Sequence, residues 1–163
     1  MRKGTLYFLI RGEGDDLEVL LAMKKRGFGQ GKWNGCGGKV KEAETVEQAA
    51  IREAREEIGI TPRDLKKMAV LTFTFPDVPK QKSWDQEIHV FVGRTATGEI
   101  QETEEMRPQW FAAKKLPFEK MWIDDPYWLP AILAGQKMRA EFVFAGKGES
   151  LKTKRIKITE SFE

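Results

Sequence analysis

Hydrophobic and polar positions alternate along several stretches of the chain, which is the pattern of β-strands with one buried face. Residues 67–75 are an example, since Ala69, Leu71, Phe73 and Phe75 fall on one face, whereas the other face carries Met68, Val70, Thr72 and Thr74. Strands are predicted over 5–11, 17–23, 67–75 and 88–92, with an extended piece at 110–111 and a closing hairpin of 141–145 and 152–158. Turn residues bound each of these stretches, and 94–98 is predicted to be a turn.

A helix is predicted over residues 45–58, where the periodicity changes. Thr45 and Gln48 form a capping box, Glu47 suits the positive end of the helix dipole, and Gly59 stands at the C-terminal cap. Pro62 follows, which favours an end to the helix there.

A second helix is predicted over residues 126–133, with Asp125 as its N-cap and Pro126 at its first position. Strands outnumber these two helices and do not alternate regularly with them. The order therefore predicts an α+β or mixed α/β sandwich rather than a repeated βαβ unit. No repeat or long linker divides the 163 residues, so one domain over 1–163 is expected.

The composition is that of an ordinary globular protein, with 40% hydrophobic and 33% charged residues. A net charge of +3 permits an anionic ligand but does not favour nucleic acid as the partner, and the basic strand at 152–158 is interpreted as a solvated face. The apolar run at 6–10 is too short for a signal segment, and no run is long enough to span a membrane. Cys36 is the only cysteine, so a reducing, cytoplasmic location is expected.

Three carboxylates crowd one face of the first predicted helix. Glu53, Glu56 and Glu57 are three or four residues apart or adjacent, and Arg52 flanks them. Such carboxylates repel one another unless a cation lies among them, and hard divalent ions prefer oxygen ligands. Taken alone, however, the same residues are also typical of a solvated acidic helix face.

The spacing around these carboxylates resembles the Nudix box, G-x5-E-x7-R-E-U-x-E-E-x-G-U, where U is a bulky aliphatic residue. The matching residues are Gly38, Glu44, Arg52, Glu53, Glu56, Glu57, Gly59 and Ile60. Ala54 occupies the first aliphatic position, a departure that concerns helix packing rather than metal binding.

This resemblance to the Nudix hydrolases implies an α/β/α sandwich with a mixed β-sheet and cleavage of a phosphoanhydride bond. It implies that Mg²⁺, or alternatively Mn²⁺, is held by ligands drawn from Gly38, Glu53, Glu56, Glu57 and, outside the box, Glu105. The implied catalytic residues are Arg52, Glu53, Glu56, Glu57 and Glu105. The alternative for Glu105 is an exposed acidic residue in a loop.

The glycine-rich segment at 27–38 is not a P-loop, because Trp33 rather than Ser or Thr follows Gly31-Lys32. The segments MKKRGFG, GKWNGCGGKV, EMRPQWF and MWIDDPYWLP are similar to those of the animal oxidised-purine nucleoside triphosphate diphosphatases within the Nudix family. The implied substrate-binding residues are Lys24, Phe28, Asn34, Gly38, Phe73, Phe75, Trp122, Asp124 and Asp125.

Each of these roles has a chemical basis of its own. The amide of Asn34 offers a donor and an acceptor to a purine edge, and the face of Trp122 can stack on a base. Asp124 and Asp125 in a dry pocket do not ionise together easily, so one can donate a proton while the other accepts. Structural alternatives remain open, with Asp125 as a helix cap and the aromatic residues, including Trp128, in the core.

Three departures from that subfamily lie around the predicted pocket. Phe8 replaces a small hydroxyl residue, and Cys36 replaces an aromatic one. The loop at 76–86 is longer, and it offers Gln86 or Trp84 where an apolar methionine is usual.

The leading hypothesis is magnesium-dependent hydrolysis of 8-oxo-dGTP and 2-hydroxy-dATP to the monophosphate and pyrophosphate, by a monomeric enzyme. Broader activity on purine triphosphates or nucleoside diphosphate derivatives is the first alternative. A non-catalytic nucleotide sensor of the Nudix fold is the second.

Overall fold

A computed structural model describes all 163 residues, in ten strands and two α-helices. The strands are β1 (Arg2–Arg11), β2 (Glu18–Lys24), β3 (Trp33–Asn34), β4 (Thr61–Arg63), β5 (Lys66–Thr74), β6 (Gln86–Gly93), β7 (Thr95–Thr97), β8 (Met106–Ala112), β9 (Lys137–Ala145) and β10 (Ser150–Thr159). The helices are α1 (Val46–Ile58) and α2 (Leu129–Leu133). The predicted strands and the closing hairpin are confirmed, and no helix is both long and apolar enough to cross a membrane.

The main sheet is mixed, as the sequence predicted. Its strand order is β10-β9-β5-β6-β1-β2-β3, and β8 also pairs with β2. The pairs β1–β6 and β5–β9 are parallel, whereas the other pairs are antiparallel.

The predicted turn at 94–98 is wrong over its centre, because Thr95–Thr97 forms β7 and pairs with β4. The partner strand lies more than 30 residues earlier in the chain. A local pattern could not reveal this pairing.

The two helices cover opposite faces of the sheet. On β1, Phe8 packs in the cluster that contains Trp128 and α2, whereas its neighbour Tyr7 packs in the cluster beneath α1. Ala54 and Ile58 bring α1 onto that second cluster, and Ala54 is fully buried. The α/β/α sandwich is therefore confirmed, and the small Ala54 allows α1 to lie close to the sheet.

Helix α1 begins and ends where the sequence predicted. The Thr45 hydroxyl accepts a hydrogen bond from the Gln48 amide at 3.0 Å, and the Gln48 side chain accepts one from the Thr45 amide at 2.9 Å. Gly59 ends the helix at a φ of 81°, in the left-handed region that favours glycine. These caps fix where α1 starts and ends, so that Glu53, Glu56 and Glu57 all lie within the helix.

The predicted helix over 126–133 is wrong in its first half. A short 3₁₀ turn spans Asp125–Tyr127, and the α-helix begins only at Leu129. A continuous helix would place Pro130 four residues after Pro126, where proline has no N–H to donate and its ring clashes with the carbonyl. Asp125 consequently makes no cap hydrogen bond, and its side chain is buried instead.

Strands β1 and β2 diverge, and this opens a cleft in the sheet. They pair only at Ile10 and Arg11, although β1 pairs with β6 over most of its length. The loop at 35–39 fills the gap, since the Tyr7 amide donates to Cys36 O at 2.6 Å and the Thr5 amide to Gly38 O at 2.9 Å. A Cβ atom on Gly37 would overlap the Thr5 carbonyl, so this approach requires glycine.

Candidate active site

Arg52 is the centre of a hydrogen-bond network at the cleft. Its guanidinium donates to both oxygens of Glu44 at 2.6 and 3.0 Å, to Glu53 at 2.8 Å and to Glu56 at 3.2 Å. It also donates to the carbonyl of Lys39 at 3.1 Å. The hydrogen bonds from Arg52 lower the pKa of Glu44 to about 2. Arg52 thus fixes two of the three predicted ligand carboxylates on α1 and joins the helix to the preceding loop.

Glu57 differs from the other two glutamates because it is buried, with 7% of its surface exposed. Burial raises its pKa to about 8, and the charge of Glu53 adds to that rise. The Gly37 amide, which donates to Glu57 at 2.7 Å, and the charge of Lys24 act in the opposite direction. A nearby cation would favour the ionised form of this carboxyl.

Gly38 lies directly against Glu53. A Cβ atom at Gly38 would come within 2.6 Å of the carboxyl carbon of Glu53. Only glycine allows the loop backbone to approach the α1 carboxylates this closely. Its carbonyl oxygen, a predicted metal ligand, accepts the hydrogen bond from the Thr5 amide.

The donor set on α1 and the adjoining loop consists of oxygen atoms, which suits a hard divalent cation. The carboxylates do not form a ready metal cage, since no three acidic, histidine or cysteine side chains have that geometry. Arg52 holds Glu53 and Glu56, while the Gly37 amide holds Glu57. All three carboxylates therefore have a hydrogen-bond partner already. The chemistry of the donors, together with buried Glu57 beside Glu53, fits an ion.

Glu105 lies outside this group. Its side chain is 59% exposed and pairs with Arg26 at 3.2 Å. It does not line the cleft, although its charge contributes to the raised pKa of Glu57. The structure thus places Glu105 close enough to influence Glu57 but does not bring its carboxylate to the other glutamates.

A cavity of about 310 Å³ runs along the cleft and joins the carboxylate helix to an aromatic region. The residues of the sequence-predicted site that line it are Lys24, Phe28, Asn34, Gly38, Glu57, Phe73, Phe75, Trp122, Asp124 and Asp125. The convergence of these residues, which come from distant segments, is the main result of the fold at this site. Arg52, Glu53 and Glu56 lie beside the cavity rather than in its lining.

Several lining residues were not predicted. They are Arg2, Lys3, Leu6, Lys32, Lys39, Ile88, Met106, Trp128 and Phe144, besides the small residues Gly4, Thr5, Ala22, Gly29, Gly35 and Gly37. Five residues of the lining are basic, namely Arg2, Lys3, Lys24, Lys32 and Lys39. They lie in β1, in β2 and in or beside the glycine-rich segment, so no single stretch of the sequence marks all of them as one group.

Asp124 and Asp125 are both buried, at 3% and 2% exposure, and their environments differ. Asp124 accepts a hydrogen bond from the Trp128 indole at 2.7 Å, whereas Oδ2 of Asp125 has no partner. Burial raises the pKa of both carboxyls, and the charge of Asp124 raises that of Asp125 further. Asp125 is therefore the better proton donor and Asp124 the better acceptor.

Asn34, at the end of β3, and Trp122, two residues before Asp124, line the same cavity as this acidic pair. Oδ1 of Asn34 accepts a hydrogen bond from the Gly35 amide at 2.8 Å, which fixes the amide plane. Trp122 has the Lys32 ammonium 5.1 Å from its ring and the Phe28 ring 5.2 Å away.

The departures from the resembled subfamily have different consequences. Phe8 is fully buried and meets Trp128 edge to face at 6.0 Å, outside the cavity lining. Cys36 is buried beneath α1. Gln86 lines the cavity, whereas Trp84 does not. The alternative that placed Trp128 in the core is confirmed. Phe73 is a buried residue of β5, Phe75 is buried directly after that strand, and both are part of the lining.

This fold, with its carboxylate helix beside a cleft of the mixed sheet, is that of a Nudix protein. The NUDIX domain model matches residues 1–132, and the chain belongs to the Nudix family. Nudix hydrolases generally use divalent metal ions.

Two curated relatives match most of the chain. It is 48% identical over 128 residues to the oxidized purine nucleoside triphosphate hydrolase of Danio rerio, covering 78% of this chain and 80% of that protein. The protein of the same name from Mus musculus is 45% identical over 126 residues, covering 77% and 78%. The crystal structure of the MutT protein from Bacillus halodurans has the same fold, with a TM-score of 0.79, 21% identity and coverage of 96% and 97%.

Proposed function

We propose that this protein hydrolyses oxidised purine deoxynucleoside triphosphates, such as 8-oxo-dGTP and 2-hydroxy-dATP, to the monophosphate and pyrophosphate with Mg²⁺ as cofactor. One observation carries the proposal: a single cavity joins Glu57 and Gly38 to Asn34, Trp122 and the buried aspartate pair. The names of the relatives from Danio rerio and Mus musculus support the same substrate class.

The base is proposed to bind at the aromatic end of the cavity. Trp122 stacks on it, and the amide of Asn34 bonds its polar edge. Asp125, which holds its proton, donates to a keto oxygen, while Asp124 accepts from a ring or amino N–H. Because the proton can move between the two carboxyls, the pair suits both oxidised guanine and oxidised adenine.

The triphosphate is proposed to extend toward α1, past the basic side chains that line the cavity. Lys24 and Lys39 are well placed by charge to attract it. Gly38, Glu53, Glu56 and Glu57 would hold the metal, with Glu105 as a further ligand once its pair with Arg26 opens. The ion, when bound, polarises the phosphoanhydride and neutralises the charge that develops on it.

Arg52 is proposed to keep Glu53 and Glu56 directed toward the cleft, since it donates to both. Glu57, the glutamate of α1 that lines the cavity, is proposed to accept a proton from the attacking water. We further propose that residues 1–163 act as one domain, as a monomer, in the cytoplasm, where a nucleotide pool is available.

The test is a comparison of steady-state rates on 8-oxo-dGTP, 2-hydroxy-dATP, dGTP and dATP, each with Mg²⁺ and with a chelator. The proposal expects pyrophosphate release that needs the metal and is fastest on the oxidised bases. Faster hydrolysis of dGTP than of 8-oxo-dGTP would favour the broader purine activity, for which the polar Gln86 in the lining is the supporting observation. Tight binding without any pyrophosphate release would indicate a sensor.

A further inference from the structure

Phe28 covers part of the face on which the base is proposed to stack. Its ring lies 5.2 Å from Trp122 at an interplanar angle of 31°, and its side chain is 57% exposed. Gly27 and Gly29, on either side, have φ values of 82° and 86°. Phe28 therefore lies at the exposed side of the cavity, between two residues whose backbone conformation only glycine adopts without strain.

The loop at 76–85 lies across from Phe28 and is fixed at both ends. Asp85 accepts a hydrogen bond from the Phe75 amide at 2.8 Å. Asp77 accepts one from the Gly146 amide at 2.7 Å and pairs with Lys152 at 2.9 Å. These bonds join the loop to β5 and to the β9–β10 hairpin, so its side chains have defined positions.

Trp84 is the residue of this loop that reaches the cavity wall. It meets Phe28 edge to face at 5.3 Å and Phe75 at 5.5 Å with an interplanar angle of 87°. Phe75 in turn stacks on Phe144 at 4.7 Å. Trp84 thus connects the exposed Phe28 to a buried aromatic stack, without itself lining the cavity.

We propose that Trp84 is a positioning residue that determines specificity: it holds Phe28 as the outer wall of the base pocket and thereby favours purines over pyrimidines. This inference rests on the proposed function. A purine has two fused rings and extends from Trp122 to Phe28, whereas a pyrimidine has one ring and makes less contact with that wall. Loss of the Trp84 support therefore weakens purine binding more than pyrimidine binding.

The experiment compares the wild type with Trp84→Ala, Trp84→Leu and Trp84→Phe. Trp110→Ala is the matched control, because that indole lies outside the cavity and stacks on Arg11 instead. KM and kcat are measured on 8-oxo-dGTP, and calorimetry gives the Kd of 8-oxo-dGMP and dCMP. Thermal unfolding identifies any variant that does not fold, and Trp84→Leu replaces Trp84→Ala in that case.

For Trp84→Ala we expect KM for 8-oxo-dGTP and Kd for 8-oxo-dGMP to rise about five- to tenfold. The reason is that the variant loses the edge-to-face contacts of Trp84 with Phe28 and Phe75. We expect kcat to change less than about twofold and the Kd of dCMP to change little, since the reacting groups are untouched. Trp84→Phe should recover most of the affinity, and Trp110→Ala should match the wild type.

Equal weakening of 8-oxo-dGMP and dCMP, or unchanged purine binding in Trp84→Ala, would overturn the role of Trp84. Failure of the proposed function has a different result. If the wild type releases no pyrophosphate but binds 8-oxo-dGMP with an affinity that falls in Trp84→Ala, the hydrolase proposal fails and the inference stands.

Discussion

The two ends of the cavity differ in how the chain builds them. At the carboxylate end, the glutamates, Arg52 and Gly38 come from one loop and one helix within residues 38–60. At the base end, the lining comes from β2, β5, β6, the glycine-rich segment and the turn around Asp125. The groups proposed for the chemistry are thus encoded in one short segment, whereas the groups proposed for recognition depend on the whole fold.

Their electrostatics differ in the same way. Near the surface, Arg52 compensates the carboxylates and lowers the pKa of Glu44. At the base end, Asp124 and Asp125 are buried without an ion-pair partner, and their pKa values are raised. Glu57 lies at the junction, bonded to the loop but buried like the aspartates. Ionised carboxylates are therefore stabilised at the carboxylate end of the cavity, whereas burial disfavours ionisation at the base end.

Glu57→Gln should break the carboxylate end and leave the base end intact. We expect kcat to fall about a thousandfold, because a proton acceptor and metal ligand is lost, with KM changed only severalfold. The amide oxygen of the glutamine can still accept the Gly37 hydrogen bond, so the fold is retained. Glu47→Gln, on the exposed first turn of α1, is the control, and equal losses of kcat in both variants would contradict the assignment.

The free energy of unfolding without metal should fall by about 2–4 kcal/mol as pH rises from about 5 to about 8 through Glu57 alone. Its pKa is raised in the folded protein, so the folded state binds the proton more tightly, and this stabilisation is lost as the carboxyl ionises. The aspartate pair adds a change of the same sign.

Urea unfolding of the wild type and of Glu57→Gln, both with a chelator, isolates the contribution of Glu57 to the pH dependence of the free energy of unfolding. A divalent cation should reduce the dependence on pH, since it favours the ionised carboxylates. Identical pH profiles for the two proteins would show that Glu57 titrates normally.

Asp125→Ala should break the base end and spare the chemistry. We expect KM for 8-oxo-dGTP to rise about 10- to 100-fold, because the hydrogen-bond donor to the base is lost, while kcat falls much less. Asp125→Asn, which keeps an N–H donor, should lie between this variant and the wild type. A loss confined to kcat would place Asp125 in the chemistry rather than in recognition.

Thr45→Ala has the smallest expected effect. It tests whether the N-terminal cap of α1 keeps the glutamates at the carboxylate end in position. Loss of the bond from the Gln48 amide should lower the free energy of unfolding by about 1 kcal/mol. Chemical denaturation measures this, and kcat should change by less than a factor of about three. A large loss of kcat at unchanged stability would mean that the cap controls the position of the glutamates directly.

Much of the fold was predictable because the signals are local. The caps of α1 at Thr45 and Gly59 were correct, as were the main strands, since capping and alternation depend on neighbouring residues. The β4–β7 pair was missed because its strands are distant in sequence. The start of α2 was misplaced because Asp125 is equally suited to a helix cap and to a buried pair, and only Pro130 hinders the longer helix.

The same division separates what the sequence determined from what only the tertiary structure decided. The spacing from Gly38 to Ile60 was sufficient to identify the Nudix family and to place Glu53, Glu56 and Glu57 on one helix face, because a helix converts spacing into direction. The fold alone showed that Glu57 is buried while Glu105 is exposed, and that Asp124 and Asp125 meet different partners. Burial and pairing depend on which distant segments pack together. The contact between Trp84 and Phe28 is likewise visible only in the folded structure.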